Sequence, residues 1–132
     1  MSMTPPTSVL IVSSDAEVRE ASRRCFSEHT ACFVEETAKS GEALLWILEK
    51  SWDLVILDLQ MEGLEGLTTL QILKRSRPNI PVVVVSANGS VETGTQVMQQ
   101  GVFYYLIKPL DEHELSEVIG SALKRSSQLD QA

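Results

Sequence analysis

Cysteine and long apolar stretches are both scarce in this sequence of 132 residues. Its two cysteines, Cys25 and Cys32, do not make a disulfide framework, and their spacing matches no metal-binding motif, which favours buried thiols. No apolar run is longer than that of residues 102 to 107, which is far shorter than the roughly 20 residues of a membrane span. The first eight residues also lack the basic start and apolar core of a secretory signal, which favours a cytoplasmic location.

Basic residues are outnumbered, since 11 Lys and Arg stand against 18 Asp and Glu and give a formal net charge of −7. This charge repels phosphate groups and disfavours direct binding of DNA, RNA or a membrane surface. The same acidity also fits a cation-binding site. Apolar and charged contents of 43% and 22% are typical of one soluble globular domain. We expect that domain over residues 9–125, between a flexible start (1–8) and a polar tail (126–132) that is either flexible or the start of a linker.

Short apolar runs alternate with helical patterns along the chain. The runs that predict strands are residues 9–12, 33–34, 54–57, 82–85 and 102–107. Each is followed by apolar residues at helical spacing, and the clearest such face is that of the last helix, with Leu115, Val118, Ile119, Ala122 and Leu123. The fourth predicted helix contains Gly94 and is closed by Gly101. This alternation predicts an α/β fold, a five-stranded parallel sheet covered by helices on both faces.

Polar residues follow four of the predicted strands. They are Ser13, Ser14, Asp58, Ser86 and Lys108. In a doubly wound sheet, ligands bind beyond the carboxyl ends of the strands. A carboxylate there can accept a phosphoryl group, while a hydroxyl and an ammonium hold its oxygens. The alternative is that each of these residues only ends a strand.

The sequence resembles the response-regulator receiver domain of bacterial two-component signalling over roughly residues 8 to 125. The motifs that carry this resemblance are residues 9–12 with Asp15 and Arg19, 53–58, 82–87 and 105–109. The resemblance implies a flavodoxin-like sheet of strand order 2-1-3-4-5. It also implies that Asp58 is the phosphoacceptor, that Ser86 is the hydroxyl that moves to the phosphoryl group, and that Lys108 is the paired cation.

Further family features fall on residues near the end of the chain. Lys108 would precede a cis peptide bond to Pro109. Tyr105 stands where the family has an aromatic residue that turns inward with the hydroxyl. The implied partners are a sensor histidine kinase or phosphotransfer protein, and an output domain or a second copy contacting the fourth helix, fifth strand and fifth helix. No enzyme activity is expected.

The resemblance breaks directly after the first strand. Family members have two adjacent acidic residues there, which bind Mg²⁺ with the acceptor aspartate, whereas this chain has Ser13 and Ser14. Asp15 is interpreted as a helix N-cap, because using it as a ligand would shift Arg19 out of register. Hydroxyls are poor substitutes for carboxylates at Mg²⁺, so we expect weak metal binding with Asp58 as its one acidic ligand. Asp58 would then pair with Lys108 and give a neutral, locked site.

The loop after Asp58 offers two further polar side chains. Gln60 lies where the family's side chain faces the phosphodonor. Glu62, in place of the usual proline, is either a replacement ligand or, more often for such a loop residue, solvated. His29 and His113 are expected at the surface, and Trp46 and Trp52 in packing roles.

Three functions remain open at this point. The first is a phosphoaccepting switch, and the second is a phosphate-independent interaction module, which the Ser13 and Ser14 replacements favour. The third is a flavodoxin-like nucleotide binder with both serines at a helix N-terminus. The third lacks the glycine- and threonine-rich loop that such a site needs.

Overall fold

The computed structural model describes residues 7–27 and 32–131, with side chains up to residue 126. Strands and helices alternate in it from end to end. Their bounds are β1 (Thr7–Val12), α1 (Ala16–Ser27), β2 (Cys32–Thr37), α2 (Ser40–Glu49), β3 (Leu54–Asp58), α3 (Gly66–Ser76), β4 (Val82–Ser86), α4 (Val91–Met98), β5 (Tyr104–Ile107) and α5 (Glu112–Gln131). All strand pairs are parallel, in the order β2-β1-β3-β4-β5. The expected fold class and strand order are confirmed.

Two apolar cores lie on opposite faces of the sheet. Alternate residues of a strand point to opposite faces, so a strand covered on both sides is apolar throughout. β3 and β4 are buried over their whole length for this reason. One core joins the sheet to α1 and α5, through residues such as Val18, Phe26, Leu115 and Ile119. The other joins it to α2, α3 and α4, through Ala43, Ile47, Leu70, Leu73 and Val97.

The ends of the domain differ from the expectation. Thr7 and Ser8 belong to β1, so the flexible start predicted for residues 1–8 is wrong at these two positions, and residues 1–6 lie outside the described part. α5 continues through residues 126–131, so this stretch is helical rather than a flexible tail, and the alternative that it starts a linker stays a prediction. Ser126 is buried, and its hydroxyl donates to Asp53 Oδ1 at 3.2 Å. This contact across 73 residues holds the end of the helix against the sheet.

Two element boundaries near the carboxyl half also shift. β5 begins at Tyr104 rather than at residue 102, although the Phe103 N–H still donates to the Val82 carbonyl. α4 ends at Met98, and Gly101 follows with a φ of 73°, a conformation that glycine adopts without a Cβ penalty. The peptide bond between Lys108 and Pro109 is cis.

The remaining expectations concern packing and length. Cys25 is buried and Cys32 half-buried, and the two are not joined by a disulfide. Trp52 is buried, while Trp46 packs at the edge of the core. No helix in the described part of the chain combines the length and the apolar character needed to cross a bilayer.

Candidate functional site

The site lies at the carboxyl ends of the central strands. The parallel register places Val12 beside Leu57, Asp58 beside Val85, and Ser86 beside Ile107. Because these strands end at the same edge, Ser13, Asp58, Ser86 and Lys108 follow one another around one rim. Gly66 at the start of α3 keeps the loop after Asp58 close, since a Cβ there would lie 2.6 Å from the Leu59 carbonyl oxygen.

Asp58 is fully buried, and both of its carboxylate oxygens have partners. Oδ2 accepts a hydrogen bond from Ser13 Oγ at 2.7 Å and lies 2.8 Å from Lys108 Nζ. Oδ1 accepts from the main-chain N–H of Gln60 at 2.9 Å. A buried carboxylate is tolerated only when it is paired and hydrogen-bonded, and this one is both.

Lys108 connects several acceptors of the rim. Its ammonium is 2.8 Å from Asp58 Oδ2, 3.1 Å from Asp15 Oδ2 and 3.3 Å from Gln60 Oε1. Burial acts to lower the pKa of Lys108, but hydrogen bonds to Asp58 and Asp15 and the charges of both carboxylates raise it above its usual value. Lys108 is therefore a charged group that balances two carboxylates.

Asp15 contributes both to the cap of α1 and to the rim, whereas the sequence predicts only the first of these roles. It caps α1, as expected, because Oδ1 accepts from the Glu17 N–H at 3.0 Å. Oδ2 at the same time lies 3.1 Å from Lys108 Nζ, and this hydrogen bond lowers the pKa of the Asp15 carboxyl against the opposing effect of burial. Asp58 is therefore not the only acidic side chain of the described residues that pairs with Lys108. The available signal was that Asp15 directly follows Ser13 and Ser14 at the end of β1.

The two serines face the loop after β3. Ser13 Oγ donates to Asp58 Oδ2 and accepts from the Asp15 N–H at 2.9 Å. Ser14 donates twice to the Gln60 carbonyl, from its main-chain N–H at 3.1 Å and its hydroxyl at 3.0 Å. Both hydroxyls and the Gln60 carbonyl are thus used in contacts within the protein.

Metal-binding residues are sparse around this rim. Within residues 7–27 and 32–131, no group of three or more His, Cys, Asp or Glu side chains is arranged to hold a metal ion. Glu62 has an exposed side chain, and its main chain bonds to Ala38 and Ser40. This placement fits the solvated alternative for Glu62 rather than a replacement ligand.

Ser86 and Tyr105 meet at Asn88, which the sequence did not single out. Ser86 Oγ accepts from the Asn88 N–H at 2.9 Å and lies 3.5 Å from the Asn88 carbonyl oxygen. Tyr105 donates from its hydroxyl to the same carbonyl at 2.9 Å. In the part of the chain that the structure describes, the Ser86 hydroxyl is thus directed to this loop and not to Asp58.

The histidines lie away from these groups. His113 is on the first turn of α5, where Nε2 is 3.1 Å from Glu117 Oε1 and both side chains are exposed. His29 falls outside the described residues. A surface role is therefore the one that the geometry of His113 supports.

Comparisons with known proteins support the fold described above. The family model of the response regulator receiver domain matches residues 9–120. The chain is 41% identical over 87 residues, or 65% of its length, to 20% of the transcriptional regulatory protein ZraR of Salmonella typhimurium strain LT2. It is 31% identical over 119 residues, or 90% of its length, to 25% of the DNA-binding transcriptional regulator NtrC of a Bradyrhizobium strain. The chain thus spans between a fifth and a quarter of these relatives.

A solved structure has the same fold. It is a CheY-like response regulator receiver domain protein from Methanospirillum hungatei, with a TM-score of 0.84 and 24% sequence identity. The likeness covers 93% of this chain and 98% of that one.

Proposed function

This chain belongs to the response regulator receiver domain family of two-component signalling, and we propose that Asp58 is its phosphoacceptor and that its site binds Mg²⁺ only weakly. The observation that carries the proposal is the set of contacts to Asp58 Oδ2, where Lys108 stands at 2.8 Å and the Ser13 hydroxyl at 2.7 Å. The ion pair with Lys108 supports the acceptor role of Asp58. The Ser13 hydroxyl occupies a position where the family has a metal-binding acidic residue.

The case for an acceptor rests on charge. A carboxylate oxygen of Asp58 would attack the phosphorus of a donor, forming an acyl phosphate while the bond from phosphorus to the leaving group breaks. The product carries more negative charge than the carboxylate did. Lys108 is already in contact and is held charged by its partners, so it would stabilise that charge.

The case for weak metal binding rests on the donors. Mg²⁺ prefers anionic oxygen ligands in near-octahedral geometry. Here the two positions after β1 are neutral serines, both engaged in hydrogen bonds, and the Gln60 carbonyl accepts two bonds from Ser14. Asp58 and Asp15 share the Lys108 ammonium, a cation that competes for them. These residues do not fit a resident Mg²⁺, and phosphoryl transfer to Asp58 should accordingly be slow.

A second function is favoured by the arrangement of Ser86 and Tyr105. Both are bonded to Asn88, and Asp58 is charge-balanced without a phosphoryl group. The domain would then present α4, β5 and α5 to a partner whether or not Asp58 is phosphorylated. For the phosphoaccepting switch we infer input from a histidine kinase or phosphotransfer protein in the cytoplasm. The phosphate-independent module would use the same surface constitutively or under another input. We also infer an output domain linked to this one, because the regulators it resembles are several times longer.

Intact mass spectrometry during incubation with acetyl phosphate, with and without Mg²⁺, tests the proposal. The wild type should gain a phosphoryl group slowly and with little dependence on Mg²⁺, and Asp58→Asn should gain none. The double variant Ser13→Asp, Ser14→Asp restores the acidic pair, so it should react faster and depend on Mg²⁺. Circular dichroism checks that each variant is folded.

The matched control is Ser51→Asp, Ser121→Asp, which adds the same charge at two exposed serines outside the rim. It should behave as the wild type. Rapid, Mg²⁺-dependent phosphorylation of the wild type would overturn the proposal of weak metal binding. A wild type that stays unmodified while the double aspartate variant reacts would favour the phosphate-independent function.

A further inference from the structure

Asn88 lies in the loop between β4 and α4 and contacts both Ser86 and Tyr105 through its main chain. Its N–H donates to Ser86 Oγ at 2.9 Å. Its carbonyl accepts from the Tyr105 hydroxyl, also at 2.9 Å. One peptide segment therefore joins a hydroxyl at the rim to an aromatic residue beside α4.

The side chain of Asn88 binds the start of α4. Its Oδ1 accepts from the Ser90 N–H at 2.9 Å, and its Nδ2 donates to Thr93 Oγ1 at 3.0 Å. Ser90 is the N-cap of α4, because its hydroxyl accepts from the Thr93 N–H at 3.2 Å. Asn88, Ser90 and Thr93 thus form one hydrogen-bonded group at the first turn of the helix.

Contacts at the first turn matter more for α4 than for the other helices, because α4 has little packing of its own. α4 has 8 residues, of which Val97 alone is buried. It also contains Gly94, which is unfavourable in a helix interior. A short helix with one buried residue has little packing to fix its position, so contacts at its first turn have a large share in doing so.

We propose that Asn88 is a positioning residue that holds Ser86, Tyr105 and α4 in a single arrangement. Moving the Ser86 hydroxyl toward Asp58 would break its bond from the Asn88 N–H, and moving Tyr105 would break its bond to the Asn88 carbonyl. The side-chain bonds to Ser90 and Thr93 keep the loop in the conformation that makes both contacts. In a receiver, Asn88 therefore sets how readily the surface of α4, β5 and α5 responds to Asp58, and this consequence rests on the proposed function.

Amide hydrogen exchange of α4 tests the structural part. Asn88→Ala removes both side-chain bonds and should raise exchange at residues 91–98 by about tenfold, the size expected from the loss of two exposed hydrogen bonds. Asn88→Asp keeps an acceptor for the Ser90 N–H and places a negative charge at the helix N-terminus, so it should stay near the wild type. Tyr105 ring signals in NMR spectra should shift in Asn88→Ala and not in Asn88→Asp.

Asn79→Ala is the matched control, since Asn79 is also exposed and lies in the loop before β4. It should leave α4 exchange unchanged. Equal exchange of α4 in Asn88→Ala and Asn79→Ala would overturn the proposal. Phosphorylation by acetyl phosphate is measured on the same variants: if Asp58 is never modified, the acceptor role fails, while the exchange result still decides the role of Asn88.

Discussion

At the scale of single residues, Lys108 balances the charge of the buried rim. Its side chain is 12% exposed and that of Asp58 is fully buried, so neither charge is well solvated. Lys108→Met would leave Asp58 buried without a cation, a change that costs about 3 kcal/mol or more. We expect urea unfolding at neutral pH to show a loss of that size.

The double variant Lys108→Met, Asp58→Asn is the control for this prediction. It removes both charges, so it should be clearly more stable than Lys108→Met alone. If both proteins unfold at the same urea concentration, the charge of Asp58 is not what Lys108 compensates.

Asp15 leads to a prediction about pH. Its folded-state pKa is lowered, chiefly by the hydrogen bond from Lys108, below the value of about 3.9 in an unfolded chain. A lowered pKa stabilises the fold above the unfolded value, and this contribution is lost as the pH falls through the folded value. Asp15→Asn keeps the cap of α1 but loses the charge. Because the Asp15 side chain is 29% exposed, we expect the variant to be less stable at pH 7 by up to about 1 kcal/mol.

The difference between wild type and Asp15→Asn should shrink as the pH falls below about 4. Urea unfolding at pH 7 and pH 3 measures it. Asp111→Asn serves as the control, because Asp111 caps α5 by accepting from the N–H groups of His113 and Glu114. A loss in Asp15→Asn that is the same at both pH values would rule out the ion pair as its source.

The sequence predicted those site residues whose position in a strand determines their role. Asp58 and Lys108 each directly follow an apolar run, and parallel strands bring such positions together. The sequence predicts only the local role of Asp15, because the cap involves a residue two positions away, whereas the contact with Lys108 spans 93 residues. Asn88 shows no pattern at all, since its role comes from the loop conformation.

At the scale of elements, α4 contains a glycine, Gly94, whose replacement by alanine should stabilise the helix. A Cβ added at Gly94 would lie 3.6 Å from Tyr105 Cε1, an ordinary van der Waals contact. Gly94→Ala should therefore add about 1 kcal/mol to helix stability without strain. We expect slower amide exchange in residues 91–98.

Gly120→Ala is the matched control, because Gly120 lies inside α5 and, apart from the nearby backbone of that helix, nothing lies within 4 Å of an added Cβ. It should gain helix stability in α5 while leaving α4 exchange as in the wild type. Faster exchange of α4 in Gly94→Ala would mean that Tyr105 needs the space that glycine leaves.

Elements that are determined by local residues could be predicted from the sequence, whereas those that depend on distant contacts could not. The β-branched residues 82–85 favour a strand by their own conformational preference, and β4 covers them. The sequence does not predict the end of α5, because residues 126–132 are mostly polar and carry no apolar face. Its helical continuation comes with a bond from Ser126 to Asp53, a partner that no local pattern reveals.

At the scale of the whole molecule, net charge and exposed apolar surface have opposite effects on self-association. The surface of α4 and β5 exposes Val91 (86%), Met98 (54%), Tyr104 (42%) and Ile107 (41%). Residues 87–107 contain no Lys or Arg, and Glu92 is their one acidic residue. Two copies meeting on this surface would bury apolar groups but gain no ion pairs from it, while each carries a charge of −7.

Self-association of the domain should therefore strengthen as salt is added. The screening length falls from about 30 Å at 0.01 M to about 8 Å at 0.15 M ionic strength, which removes most of the repulsion between two acidic copies. Sedimentation velocity at both salt concentrations measures this change. Val91→Asp should abolish the association, whereas Leu45→Asp, an exposed leucine on α2, should not. Association that weakens with salt would indicate ion pairs across the interface, and an equal effect of both variants would place the contact elsewhere on the molecule.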